Sequence, residues 1–236
     1  MIHEEMTDEM LFTLIPELRP MAGFAQNNPY HIYDVWEHTM KALDAAGDDL
    51  IVRLAVLFHD IGKPGCYSAD EQGIGHFYGH AAVGAGITRR ILERLEVEED
   101  IREKVVELVH YHDLDLHARH KSVEKWLARL GEEQFVRLLE VERCDIAGQN
   151  PDYRETRLDK LDRLETILGE VLEKTGRFRV RDLKVSGYDL MQLGYQPGRR
   201  LRTSLQMLAD SVEAGETAND REALLAAAST ALCKIR

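Results

Sequence analysis

The residues most able to do chemistry are an adjacent pair, His59-Asp60, in the run Leu57-Phe58-His59-Asp60-Ile61-Gly62-Lys63. The pair closes an apolar stretch, Leu50 to Phe58. Ionisable groups at such a place are expensive to bury unless something neutralises them. A divalent cation would do so. Neighbouring imidazole and carboxylate groups can reach one ion, or the carboxylate can bridge two. An isolated His-Asp dipeptide is also an ordinary solvated helix end, so the remaining histidines and aspartates carry the argument. His38 falls mid-helix, His80 at a helix start after Phe77-Tyr78-Gly79, His112 at a helix end in His110-Tyr111-His112-Asp113, and Asp145 mid-helix in Val141 to Ala147. Each is one polar group in a partly apolar stretch, each on a different helix. Helices of a bundle can aim such groups at one interior point. A mixed imidazole and carboxylate set suits Mn, Fe, Co, Ni, Zn or Mg better than a thiolate-seeking metal.

Helices must therefore position these groups. Helical periodicity dominates the chain, and β-branched alternating runs are few. The expected fold is all-α. Helices are expected near 7–15, 34–46, 49–61, 79–95, 98–112, 122–130, 132–148, 154–175, 199–214 and 220–234. Residues 16–32 and 65–76 read as loops, and 176–198 as irregular or short-helical. Asn150-Pro151 marks a break, which suggests a core domain over 1–150 and a helical extension over 151–236.

Composition narrows the function classes. The 236 residues contain 30 Lys and Arg against 42 Asp and Glu, a formal net charge of −12. Wrapping of nucleic acid is not expected of such a surface, because phosphate binding needs clustered Lys and Arg. Cys66, Cys144 and Cys233 form no CxxC pair, which argues against a disulfide framework or structural zinc site. Residues 1–10 lack a cationic and apolar leader, and no apolar run is long enough to span a bilayer. A reduced, cytosolic protein without a membrane partner is the expectation; its oligomeric state is not legible.

The order His38, His59-Asp60, Asp145 resembles the H…HD…D signature of HD-domain metal-dependent phosphohydrolases. His80 and His112 resemble the additional ligands of the members that bind two metals. Pro16-Glu17-Leu18, Tyr30 to Thr39, His59 to Pro64 and His76 to His80 are similar to the HD region of bacterial tRNA nucleotidyltransferases, the CCA-adding enzymes. Ser186 to Met191, Leu193-Gly194, Pro197-Gly198 and Asn219 to Leu225 resemble the tail of those enzymes. Before Tyr30 there is no Gly-rich strand-turn and no DxD pair, so nucleotide transfer is not expected of a chain without that head. Arg202 stands where those enzymes usually have a small residue.

The resemblance implies an HD-domain helical bundle. It implies that His38, His59, Asp60 and Asp145 hold one divalent ion, and that His80 and His112 complete a second with Asp60 bridging. Lys63 would bind a phosphate oxygen and offset developing charge, although a solvated helix-end lysine is the plain alternative. His31 either touches substrate or caps a helix, and Asp34 either orients His38 or serves as N-cap. His110 rivals His112, but Tyr111-His112-Asp113 matches the family. His76, His117 and His120 read as surface or loop residues.

The implied activity is metal-dependent hydrolysis of a nucleotide phosphomonoester or 2′,3′-cyclic phosphodiester. The segment 174–202 carries Lys174, Arg177, Arg179, Arg181, Lys184, Arg199, Arg200 and Arg202 against Asp182 and Asp189. It either guides an anionic substrate, with Arg199 and Arg200 as binding residues, or is a solvated charged face. Phe178, Tyr188 and Tyr195 give it little aromatic interleaving. An RNA-binding or accessory module related to tRNA nucleotidyltransferase, with a structural metal, is the alternative reading.

Overall fold

A computed structural model describes residues 7–176, 180–196 and 198–233. Among the described residues the fold is all-α apart from one antiparallel hairpin of two-residue strands. The helices are α1 (Asp8–Leu14), α2 (Val35–Asp44), α3 (Leu50–Phe58), α4 (His80–Arg94), α5 (Glu99–Tyr111), α6 (His120–Leu130), α7 (Glu132–Gly148), α8 (Pro151–Gly176), α9 (Gly187–Gln192), α10 (Arg199–Glu213) and α11 (Arg221–Cys233). The strands are β1 (Ser68–Ala69) and β2 (Gly75–His76), paired Ser68 to His76 and Ala69 to Gly75. Among the described residues, no helix is long and apolar enough to cross a membrane.

Side-chain caps fix the starts of the helices that matter for the site. Asp34 precedes α2 and accepts from the Glu37 amide at 2.8 Å. Asp49 precedes α3 and accepts from the amides of Ile51 and Val52 at 2.8 and 3.3 Å. Both satisfy donors that the first helical turn leaves open. α8 begins at Pro151, earlier than residue 154, because proline fits the first helical position and Asn150 Oδ1 accepts from the Asp152 amide at 3.1 Å.

Two segments read as loops have regular structure. Pro16–Met21 is a 3-10 helix that buries Leu18 and Met21 completely. The hairpin is too short to show strand alternation. It turns on Asp70, whose Oδ1 accepts from the amides of Gln72 and Ile74 at 3.0 and 2.9 Å, with Gly73 at φ 80°.

The chain divides into two compact units, Met1–Leu168 and Gly169–Arg236, with the boundary inside α8. In the first, α2 packs on α7, α3 on α5 and α7, and α4 on α5. Phe58, Ile91, Leu108, Phe135 and Leu138 form the solvent-free core. The second has its own core, including Leu190, Tyr195, Leu205, Ala209 and Leu224. Its Tyr195 hydroxyl donates to the Ala228 carbonyl at 2.8 Å. Ser186 and Asp189 form a reciprocal capping box at the start of α9.

Candidate metal centre

The core helices of the first unit bring six of the singled-out groups together. His38 lies on α2, His59 and Asp60 just past α3, His80 at the start of α4, His112 just past α5 and Asp145 on α7. His38 and Asp60 are almost fully buried, as are His59, His80 and His112. His38 Nε2 stands 3.1 Å from His59 Nε2, 2.9 Å from Asp145 Oδ1 and 3.4 Å from Asp60 Oδ2. His59 Nε2 is 3.2 Å from Asp60 Oδ2 and 3.7 Å from Asp145 Oδ1. On the other side, His80 Nε2 and His112 Nε2 are 3.2 Å apart and lie 3.5 and 3.8 Å from Asp60 Oδ1. Asp60 thus turns one oxygen to the first imidazole pair and the other oxygen to the second.

The backbone sets which imidazole nitrogens point inward. The Nδ1–H groups of His59, His80 and His112 donate to the carbonyls of Val56, Phe77 and Val109 at 2.7, 2.8 and 2.7 Å. Each carbonyl lies three residues earlier, at a helix end or turn. Their Nε2 atoms are then the ones left to offer lone pairs to the interior. Facing lone pairs repel unless a proton or a cation lies between them. Metal–nitrogen bonds of about 2.0–2.1 Å place neighbouring ligands on one ion about 2.9–3.4 Å apart, and both imidazole pairs fall in that range. Two groups, His38-His59-Asp60 and Asp60-His80-His112, have ligand atoms within 4.8 Å of one another. The donor set and its spacing fit divalent ions.

Electrostatics agree with this reading. Burial pushes the carboxyl of Asp60 up, but the His59 and Lys63 charges outweigh it and hold the group well below the usual carboxylate range. Asp145 is likewise held low against burial, through hydrogen bonds to His38 and His59. The two carboxylates raise His59 despite its burial.

Lys63 is buried. Its Nζ stands 2.7 Å from Asp60 Oδ2, a contact of charge more than a directed hydrogen bond, and donates to Gln26 Oε1 at 2.8 Å. His31 sets its ring edge-on to that of His38, with centroids 4.9 Å apart. Burial, with the Lys63 and His38 charges, pushes its pKa down to about 3, so it is neutral. Helix α2 is capped by Asp34, not by His31. Asp34 Oδ2 also accepts from the Gly23 amide at 3.0 Å, so both its oxygens serve the backbone. His110 is exposed, which leaves His112 as the inward member of that pair.

Arg199 and Arg200 open α10 in the second unit. Arg177 and Arg179, and the side chains of Arg181 and Arg199, lie outside the described residues.

Three further residues shape the centre without any local sequence signal. Gln149 Nε2 donates to Asp145 Oδ2 at 2.8 Å, while Arg154 donates to the Gln149 carbonyl at 2.8 Å and Arg157 to its side-chain oxygen. Gln26 holds Lys63. At Gly148, an added Cβ would lie 2.7 Å from both Nδ1 and the carbonyl oxygen of His38. Only a residue without a side chain lets the end of α7 approach α2 that closely. Their roles arise from chains that meet in space, so spacing along the sequence does not reveal them.

The family model described as "HD domain" matches residues 30–167. The chain belongs to the HD domain family. The domain is typically a metal-dependent hydrolase, and HD domains bind divalent metals. The HD chain is 31% identical over 223 residues to the A-adding tRNA nucleotidyltransferase of Deinococcus radiodurans, covering 91% of this chain and 50% of that protein. It is also 31% identical over 223 residues to the CC-adding tRNA nucleotidyltransferase of Thermus thermophilus, covering 91% and 49%. The Multifunctional CCA protein of Azoarcus sp. (strain BH72) is 31% identical over 156 residues, covering 61% and 37%. The chain therefore spans about half the length of the first two curated relatives. The expected family and fold class agree with these findings.

Proposed function

We propose that this HD domain is a metal-dependent phosphohydrolase acting on a nucleotide phosphomonoester or a 2′,3′-cyclic phosphodiester. The observation that carries the reading is the division of the Asp60 oxygens between two inward-facing imidazole pairs. In this reading His38, His59, Asp60 and Asp145 hold one ion, and Asp60, His80 and His112 hold the other. When bound, a pair of divalent ions clamps phosphoryl oxygens and makes water acidic enough to attack phosphorus at neutral pH.

The rest is the work of the chain. Val56, Phe77 and Val109 keep three imidazoles in the tautomer that presents Nε2. Gln149 and His38 steer the Asp145 carboxylate. Lys63, steadied by Gln26, offsets negative charge developing on the phosphoryl oxygens. Water adds to phosphorus, the P–O ester bond breaks, and the leaving oxygen takes a proton.

The test is hydrolysis of p-nitrophenyl phosphate, its bis-ester and 2′,3′-cyclic AMP with Mn, Ni, Co and Mg. Turnover by the metal-loaded chain, lost together with bound metal in Asp60→Ala, is the expected result. No turnover of any substrate by a metal-loaded chain overturns it. The likeness to tRNA nucleotidyltransferases over 91% of the chain supports a second reading, an RNA-binding module with a structural metal. That module would bind tRNA with an affinity falling steeply as salt rises.

A further inference from the structure

A pocket of about 500 Å³ opens beside the metal centre, with Lys63, His31 and His80 among its walls and Tyr78 and His76 also lining it. That volume is in the range of small-ligand sites. Tyr78 is 78% exposed, an unusual position for so large an aromatic surface. Its ring is nevertheless held. It stacks parallel to the His76 imidazole, with centroids 5.3 Å apart and an interplanar angle of 7°, and its hydroxyl lies 3.4 Å from His76 Nδ1. His76 Nε2 is in turn 3.1 Å from Asp70 Oδ2.

The strand beneath this stack is pinned to the centre itself. A Cβ on Gly75 would lie 2.2 Å from the Gln26 carbonyl oxygen, so β2 runs hard against the residue that holds Lys63. Gly79, at φ 78°, makes the corner between Tyr78 and His80. A flat aromatic face is thus fixed two residues from one of the centre's imidazoles, on a wall shared with the buried lysine.

We propose that Tyr78, backed by His76, is the stacking platform for the base of a nucleoside phosphate whose phosphoryl group lies at the metal centre. This rests on the phosphohydrolase reading and deepens it. An aromatic face held in place binds a base without first losing ring freedom, and it accepts any base because each has a π-face. Lys63 and the centre take the phosphoryl end, and the stacked Tyr78–His76 end takes the base.

The test compares adenosine 5′-monophosphate with ribose 5-phosphate, which lacks the base, on the full chain. Equilibrium binding is measured by calorimetry in chelator and again with Mn(II), and KM is measured wherever turnover occurs. The expected result is a preference for the nucleotide that falls about tenfold in Tyr78→Ala and survives in Tyr78→Phe. No preference in the unaltered chain, or an equal preference in Tyr78→Ala, overturns the platform. No hydrolysis by the unaltered metal-loaded chain, with the binding preference intact, would sink the phosphohydrolase reading while leaving the base platform in place.

Discussion

Asp60 is asked to do two things at once, because its oxygens face different imidazole pairs and Lys63 stands against one of them. The lysine and the carboxylate can be separated by experiment. Lys63→Met keeps the buried hydrocarbon and removes the charge. It is expected to lower kcat by about 10²-fold or more while bound metal stays at the unaltered level. Unchanged kcat with unchanged metal, read by elemental analysis beside the assay, would remove Lys63 from the chemistry. Gly148 acts through contact alone. Gly148→Ala drives a methyl group into His38 and its carbonyl; it should destabilise the fold by about 1–3 kcal/mol and reduce bound metal. Both are checked by a denaturant melt and elemental analysis. A variant as stable and as metal-rich as the parent would show that α7 can move away from α2. At this scale the sequence showed the types of the converging groups but not their supports. His38, His59, Asp60 and Asp145 stood out as polar groups in apolar helices, whereas Gln26, Gln149 and Gly148 look like any loop or helix-end residue until α7 and the loop before α2 close on the centre.

Most of the converging groups sit at helix ends, His59 and Asp60 past α3, His80 at the start of α4 and His112 past α5. Helix α3 is nine residues, Leu50–Phe58, and delivers His59 and Asp60 just beyond its last turn. Its start is tied to α7, because Arg137 Nε donates to the Asp49 carboxylate at 2.8 Å while the same carboxylate caps α3. Partial burial pushes Asp49 up, but Arg137 and the two amides outweigh it, so its pKa is lowered on folding. A lowered carboxylate contributes stability that is present above its unfolded value, near 4, and lost as pH falls. Asp49→Ala should therefore cost about 1 kcal/mol at pH 7 and much less at pH 3, measured by urea unfolding at both. An equal cost at both pH values would show that charge plays no part. Helix positions were largely legible from periodicity and end residues, as for α7 between Gly131 and Gln149. The hairpin was not, because two-residue strands show no alternation and are held by Asp70 and by the Gly75 amide, which donates to the Asn27 carbonyl.

For the molecule as a whole, a shared metal centre would join α2 and α7 to the ends of α3 and α5 and the start of α4. An ion that binds only the folded chain stabilises it by about 2.7 kcal/mol at 100 times its dissociation constant. In a protein of this size that corresponds to a rise in Tm of about 5–10 °C. Chelator should lower Tm by that amount, excess Mn(II) should restore it, and neither should move Asp60→Ala. A melt indifferent to chelator and metal would argue against ions bridging these helices.

The sequence by itself determined the helical class and the acidic balance and offered candidate groups for a cation, because helical period and residue type are local properties. It did not determine that the oxygens of Asp60 part between two imidazole pairs, that His112 rather than His110 turns inward, or that Tyr78 stands flat on His76 at the rim. Those depend on distances between segments far apart in the chain, and such distances exist only once the helices have packed.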